Sequence, residues 1–302
     1  MIPYGSLVIY ATPKGKRHLK RLIEGEDWHS KDGVLPAATV AAADFGDVVT
    51  TSIGRPIQVL DVTLQDLLKG VKRQTQIIYP KDVAYICMRL GAGPGRTIVE
   101  AGCGSGGLTT GLSWFCGPTG RVVSHEAREE FAKLARRNLD WAGLGENVEI
   151  HVRDIADGFC ARGADALFLD VRDPWNHLDV ALRAVKPGAM FGFLLPTVIQ
   201  VGELLRGLER GPFDDVEVQE LLLRSWKPLA DRLRPADRMI AHTGFLVFAR
   251  HQKRDPAFDA LRPKGTRERK QEAALLRRLA EQSDGALGMD SADELLDEAD
   301  EQ

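Results

Sequence analysis

Cysteine is scarce in this chain, with four in 302 residues, and Cys87, Cys103, Cys116 and Cys160 show no C-x-x-C spacing. That excludes a disulfide framework and a zinc ribbon; because each falls in or beside an apolar stretch, the four read as small buried thiols. Long apolar runs are missing too. No window approaches the roughly 20 apolar residues of a membrane span, and the opening MIPYGSLVIY has neither a basic leader nor an extended apolar core. A cytoplasmic protein without membrane contact is expected. Internal repeats are also absent. What remains, with 44% hydrophobic residues, can build one large domain and a small one.

A strong charge excess is lacking as well, since the formal net charge is −3. The balance conceals an asymmetry. Residues 280 to 302 hold nine acids and no base, which leaves 40 bases against 34 acids in the rest of the chain. Basic groups cluster at Lys14, Lys16, Arg17, Lys20 and Arg21, at Lys69, Lys72 and Arg73, and at Arg232, Arg234 and Arg238. Such clusters can neutralise nucleic-acid phosphates, although charge runs also occur as plain solvated faces.

The richest stretch is IVEAGCGSGGLT, residues 98 to 109. An apolar strand ends at the acid Glu100 and runs into small residues, so a ligand can lie directly against the backbone, and the helix that follows offers free N–H groups. Gly102, Gly104 and Gly107 satisfy the G-x-G-x-x-G spacing of dinucleotide-binding turns, which by itself is a weak signal. The next strand closes at Glu126, nineteen residues after Gly107, where an acid accepts hydrogen bonds from a ribose diol of either cofactor. Glu100, two residues before the first glycine, and a further strand-end acid, Asp154, favour S-adenosylmethionine. The alternative is that these glycines only turn a strand into a helix and the acids are solvated.

Around this loop the pattern alternates: strand 97–101, helix 106–116, strand 121–125, helix 128–142, strand 148–152, strand 165–170, helix 176–185 and strand 189–195. This predicts an α/β protein with a doubly wound, mainly parallel Rossmann-like sheet. Two later runs, Val216 to Trp226 and Phe245 to Arg250, should complete one edge antiparallel. Upstream, short β-like runs at Ser6–Tyr10, Val34–Val40, Asp47–Ser52 and Ile57–Leu60 predict a small β-rich domain, followed by helices over 64–71 and 81–90. The expected organisation is a β-rich domain over 1–65, a cofactor domain over 66–252, and a charged helix with an acidic disordered tail over 253–302.

The fourth strand, ALFLD, ends at Asp170 and continues VRDPW. Asp170 there can accept a hydrogen bond from an exocyclic amine and stabilise the positive charge that grows on an adenine ring as its nitrogen is alkylated. A ring nitrogen already carries its lone pair, so positioning outweighs a strong base. The alternative for Asp170 is a strand-end cap. Trp175 and Tyr79 can stack on a base or serve as core.

Taken together, RQTQIIYPKD, IVEAGCGSGGLT, VSHEAR, FLDVRDPW and RPADRMIAHTGFLVFAR resemble the motifs of the tRNA adenine-N1 methyltransferase family over roughly residues 1 to 250. The resemblance implies a class I methyltransferase fold behind the small N-terminal β domain, methylation of N1 of adenosine 58 in the T loop of tRNA, and a homo-oligomer, usually a tetramer. It implies that Ser105, Gly106, Gly107, Leu108 and Thr109 cradle the methionine end of S-adenosylmethionine, that Glu126 holds its ribose and Asp154 meets its adenine. Asp170 matches the family's catalytic acid, and Gln76 and Tyr79 match a loop that covers the cofactor and faces substrate. His242 and Thr243 fall in the AHTGFL motif, with a role in structure or tRNA contact. No metal is implied. Where many relatives read D-L-P-D-P-W, this chain has Asp170-Val171-Arg172-Asp173-Pro174-Trp175, which keeps both acids and the tryptophan, and Leu194 stands where some relatives carry an aromatic. Competing readings are a protein isoaspartate O-methyltransferase, a noncatalytic tRNA-binding subunit and a dinucleotide-dependent oxidoreductase.

Overall fold

In the computed structural model, which describes residues 1–74, 76–253 and 255–257, two sheets carry most of the chain. The first is antiparallel, in the order β2-β1-β6-β5, from β1 (Leu7–Ala11), β2 (Arg17–Arg21), β5 (Val48–Thr50) and β6 (Pro56–Leu60). Between its strands lie β3 (Trp28–Ser30), β4 (Gly33–Leu35) and α1 (Ala37–Ala42). Val8, Tyr10, Leu22, Ile57 and Val59 pack together as its core. The expected β run over Val34–Val40 is corrected here: Pro36 ends β4 and, in an extended conformation, precedes α1, because proline lacks the donor a ladder needs yet suits a helix start.

Two helices follow, α2 (Leu64–Gly70) and α3 (Pro80–Leu90). The first is closed by a capping box in which Thr63 and Asp66 satisfy each other's backbone donors. Then come β7 (Thr97–Ala101), α4 (Gly107–Cys116), β8 (Arg121–Glu126), α5 (Glu129–Ala142), β9 (Val148–Val152), β10 (Ala164–Leu169), α6 (Leu178–Leu182), β11 (Val185–Leu195), α7 (Val198–Arg210), β12 (Phe213–Gln219), β13 (Trp226–Lys227), β14 (Arg234–Pro235) and β15 (Phe245–His251). The main sheet has the order β12-β15-β11-β10-β7-β8-β9, parallel from β11 to β9, with β15 antiparallel to both β11 and β12. Alternate strand residues feed two cores: Val99, Val123, Leu167 and Phe191 belong to one, Ile98, Val122, Phe168 and Phe248 to the other, as the period of two requires. Burial on both faces is what a parallel sheet clad in helices demands.

Three expectations over the second half are corrected. The helix expected over 176–185 is a 3-10 turn, Pro174–His177, followed by the short α6. Helix α7 was not anticipated; Val201, Leu204 and Leu208 are its buried side chains, but Gly202 and Gly207 dilute the apolar stripe in the sequence. The strand expected over Val216–Trp226 starts earlier and stops at Gln219, with a bulge between Asp214 and Glu217 where Asp215 takes φ 53°, so its alternation is broken. Cys87, Cys103 and Cys116 are buried and Cys160 half-buried, all as free thiols. Among the described residues no helix is long and apolar enough to cross a membrane. The charged helix and acidic tail expected beyond residue 253 fall almost wholly outside the described residues.

A buried ion pair joins α3 to the approach of β15. Lys81 Nζ donates to Asp82 Oδ1 at 2.7 Å and to Thr243 Oγ1 at 2.6 Å, and the threonine hydroxyl donates to Asp82 Oδ2 at 2.8 Å. The Lys81 and Asp82 side chains are only 8% and 3% exposed. Removing one partner of such a pair strands the other charge, so Asp82→Ala is expected to destabilise the protein by about 3–5 kcal/mol. Replacing both, Lys81→Met with Asp82→Leu, should recover most of that loss in chemical denaturation; no recovery would show that the pair is not the cause.

Candidate active site

The sheet order reverses at β7, with β8 on one side and β10 on the other, and open α/β sheets bind ligands at the carboxyl end of such a switch point. A cavity of about 640 Å3 opens there, and Gly102, Gly104, Glu126, Asp154, Asp170 and Gln76 all face it. Beside it a narrow cleft is lined by Glu100, Ser105, Gly107 and Leu108, again with Gln76 and Asp170. Strand ends supply the acids, and the loop between β7 and α4 supplies the floor.

That loop turns on Gly102, with φ 86°, whose N–H donates to the His125 carbonyl at 2.9 Å. A Cβ on Gly102 would lie 2.1 Å from the Asp170 carbonyl oxygen, so only glycine lets β7 and β10 approach this closely. Gly106, at φ 82°, caps α4 and sits against Ala135 of α5, 3.0 Å from where its own Cβ would stand. The floor of the cavity is therefore bare backbone, which suits a ligand laid along it.

Three carboxylates converge on this floor. Glu126 accepts from the Gly104 N–H at 2.9 Å and from the Arg128 N–H at 3.1 Å, with the Arg128 guanidinium 3.6 Å away. Glu100 is sealed in, accepting from Thr109 Oγ1 at 2.7 Å and Ser124 Oγ at 2.8 Å, and burial raises its pKa to about 7. Asp170 has no hydrogen-bond or ion-pair partner for its carboxylate among the described residues; burial, helped by the charge of Glu126, raises its pKa to about 6. Burial likewise lowers the pKa of His125 to about 4. Its Nε2 accepts from the Cys160 N–H at 2.9 Å, so Nδ1 carries the proton it gives to the Glu100 carbonyl.

Such a floor has a place for positive charge. The unengaged carboxylate of Asp170, whose ionised form burial disfavours, would gain from a cationic ligand. The residues present therefore fit S-adenosylmethionine, with its sulfonium and ammonium charges. Among the described residues no cluster of His, Cys, Asp and Glu has the makings of a metal site.

The other expected residues scatter. Thr109 is fully buried and spends its hydroxyl on Glu100, so it supports the floor from below. Asp154 faces the cavity while its side chain also caps the turn after β9, accepting from the Ala156 N–H at 2.9 Å. Tyr79 lines a separate cavity of about 330 Å3 with Lys69, Arg238 and Met239. Trp175 packs into the apolar core, against Gly207 of α7, and is not brought to the cofactor cavity. Thr243 is held in the Lys81–Asp82 pair. His242 Nδ1 lies 2.6 Å from Glu220, whose carboxylate raises its pKa, and the ring packs on Phe245 at 4.9 Å between centroids.

Sequence reasoning missed several contributors. Arg128, Arg153, Arg172 and His177 also face the cavity, and each lies within three residues of an expected strand-end or DPW position, which is the signal that would have found them. Asn138 is 3% exposed and ties the Lys72 backbone to the glycine loop; a polar residue at an apolar position of an amphipathic helix marks it.

Comparison with known proteins agrees with this geometry. Residues 57–239 match the family described as tRNA methyltransferase complex GCD14 subunit. The chain is 35% identical over 241 residues to a Thermus thermophilus tRNA (adenine(58)-N(1))-methyltransferase TrmI, covering 80% of this chain and 94% of that one. A Methanocaldococcus jannaschii relative, described as a tRNA (adenine(57)-N(1)/adenine(58)-N(1))-methyltransferase, is 34% identical over 65% of this chain and 79% of its own length. Among solved structures, the tRNA (m1A58) methyltransferase TrmI of Aquifex aeolicus superposes with a TM-score of 0.72 at 37% identity, over 84% of this chain and 99% of that one. A Thermotoga maritima protein described as a SAM-dependent O-methyltransferase superposes at 0.78 with 40% identity, over 84% and 96%.

Proposed function

We infer the reaction from one premise: the chain belongs to the tRNA methyltransferase GCD14 family. It is a tRNA (adenine(58)-N(1))-methyltransferase of the class I fold, and it transfers a methyl group from S-adenosylmethionine to N1 of adenosine 58. The observation that carries this reading is the convergence of Glu100, Glu126 and Asp170 on the glycine loop at the switch point of the sheet.

Bound S-adenosylmethionine would supply an electrophilic methyl group on a cationic sulfur. The glycine loop from Gly102 to Leu108 and Gln76 would hold the methionine portion, Glu126 the ribose diol and Asp154 the adenine. Asp170 would accept a hydrogen bond from the exocyclic amine of the target base. As N1 is alkylated the base becomes cationic, and a carboxylate held a short distance away in a sheltered cavity stabilises that charge. No proton has to leave N1, so what these residues contribute is position and field.

The target adenosine must be extruded from the folded T loop, at a cost of a few kcal/mol, and contacts elsewhere on the tRNA must offset it. The region 1–65, with Lys14, Lys16 and Lys20 exposed, is the proposed source, alongside a catalytic region over 66–252. A homo-oligomer, a tetramer by family resemblance, is supported by Leu222, Leu223, Trp226, Leu229, Leu233 and Ile240, which leave apolar surface exposed on one segment. We place the enzyme in the cytoplasm, with its tRNA.

Incubation with S-adenosylmethionine carrying a labelled methyl group should label a tRNA transcript, and a transcript with uridine at position 58 should stay unlabelled. Equal labelling of both would refute the assigned base. The pH dependence is a second check. The form of Asp170 that stabilises a cation is the carboxylate, so kcat/KM is expected to rise with pH through about 6 and level off above 7. The same raised pKa means that ionised Asp170 weakens the fold. The stability of Asp170→Asn relative to wild type should therefore grow as pH rises from about 4 to 6 and then stay constant; a pH-independent difference would contradict the placement of that charge.

A further inference from the structure

A second cavity, of about 650 Å3, lies at the start of the segment whose far end delivers Gln76 to the cofactor cavity. One wall is a face of α5, because Arg137, Asn138 and Trp141 stand at helical spacing. Lys72 and Arg73 form another. Lys72, Arg73 and Arg137 are exposed and have no ion-pair partner among the described residues. Between these cations sits the half-buried Trp141. Its ring edge rests on Gly70, where a Cβ would come within 2.4 Å of the indole Cη2, so a bare backbone makes room for the ring.

The floor of this cavity is bonded to the cofactor loop. Asn138 accepts from the Lys72 N–H at 3.2 Å, and its amide donates to the Lys72 carbonyl at 3.0 Å and to the Ser105 carbonyl at 2.8 Å. The Gln74 N–H adds a bond to Ser105 Oγ at 3.3 Å. A ligand that fixes Lys72 and Arg73 therefore fixes the same strand of chain that positions Gln76.

An aromatic ring ringed by unpaired cations is the chemistry of a nucleotide site: the ring stacks a base and the cations take its phosphates. The cationic surface also continues past the cavity. Leu19 of β2 lines it, and the hairpin of β1 and β2 carries Lys14, Lys16 and Lys20, all exposed. That extent exceeds one mononucleotide and suits a polyanion. We propose that this cavity is a second RNA site, which takes a nucleotide of the tRNA other than the methylated one, its base on Trp141 and its phosphates on Arg73 and Arg137. The assignment rests on the reading of the chain as a tRNA methyltransferase.

The test uses the full-length protein and fluorescence anisotropy of a labelled tRNA transcript across a salt series. Arg73→Gln with Arg137→Gln should weaken binding by about tenfold or more near 0.1 M salt. It should also flatten the slope of log K against log salt by about 1.5, since each lost phosphate contact removes roughly 0.7–0.9. Trp141→Leu should weaken binding by about tenfold through lost stacking, and Trp141→Phe should restore most of it. S-adenosylhomocysteine affinity without RNA should stay at the wild-type value in the arginine variant, whose exposed positions spare the fold. Wild-type affinity and slope in that variant, with the parent still methylating tRNA, would overturn the second site alone. Failure of the parent itself to bind tRNA would overturn both readings.

Discussion

Asp170→Ala is expected to lower the turnover of tRNA methylation by about 10²–10³-fold, the usual cost of removing one group that stabilises charge developing in a transition state. Affinity for S-adenosylhomocysteine should change by no more than a few-fold. The separation follows from geometry: Glu126 is gripped by two backbone N–H groups and Glu100 by two hydroxyls, whereas the Asp170 carboxylate is left unengaged among the described residues while facing both the cavity and its adjoining cleft. An unengaged, sheltered carboxylate is costly to the fold, which its raised pKa of about 6 expresses. Single-turnover methylation and calorimetric titration of S-adenosylhomocysteine would separate the two effects. Loss of affinity equal to the loss of rate would make Asp170 a cofactor ligand without a role in the chemical step.

Gly102→Ala is expected to abolish both binding and activity. The new methyl group would overlap the Asp170 carbonyl, 2.1 Å away, on a backbone held at φ 86°. Left-handed strain and overpacking together cost about 2–5 kcal/mol, and relief requires β7 and β10 to separate where they present the cofactor floor. Gly143 is the control. It too has a positive φ, 70°, but nothing lies within 4 Å of its Cβ position, so Gly143→Ala should cost only the strain, about 1–2 kcal/mol, and leave S-adenosylhomocysteine binding intact. Melting temperature and ligand titration of both variants would check this; normal binding by Gly102→Ala would show that the loop yields more easily than its packing indicates.

Much of the fold was legible because parallel strands buried on both faces leave uninterrupted apolar runs. Strand 97–101, buried along almost all its length, lies where such a run predicts it, whereas the edge strand 148–152, with its alternating V-E-I-H-V, lies where predicted although it stays partly exposed. Where elements were misjudged, local chemistry had masked the period: Pro36 split an apparent strand, Gly202 and Gly207 thinned the stripe of α7, and the bulge at Asp215 shifted the alternation of β12. The carboxylates were legible for a related reason, since an acid that ends an apolar run marks a strand's carboxyl end. Side-chain direction was not. Trp175 and Asp173 sit two residues apart, yet one enters the core and the other faces the cavity. Thr109 lies in the glycine motif but points at Glu100, and Tyr79, three residues from Gln76, lines a different cavity. Residue spacing along a loop does not encode these choices; packing against α7, β7 and the segment near Met239 does.

The most direct test of the central claim is nucleoside mass spectrometry, with site mapping, of an unmodified tRNA transcript incubated with the purified protein and S-adenosylmethionine. N1-methyladenosine at position 58 is the predicted product. A methyl group found on a ribose or base oxygen, or no methylated nucleoside from protein that demonstrably binds S-adenosylhomocysteine, would contradict it.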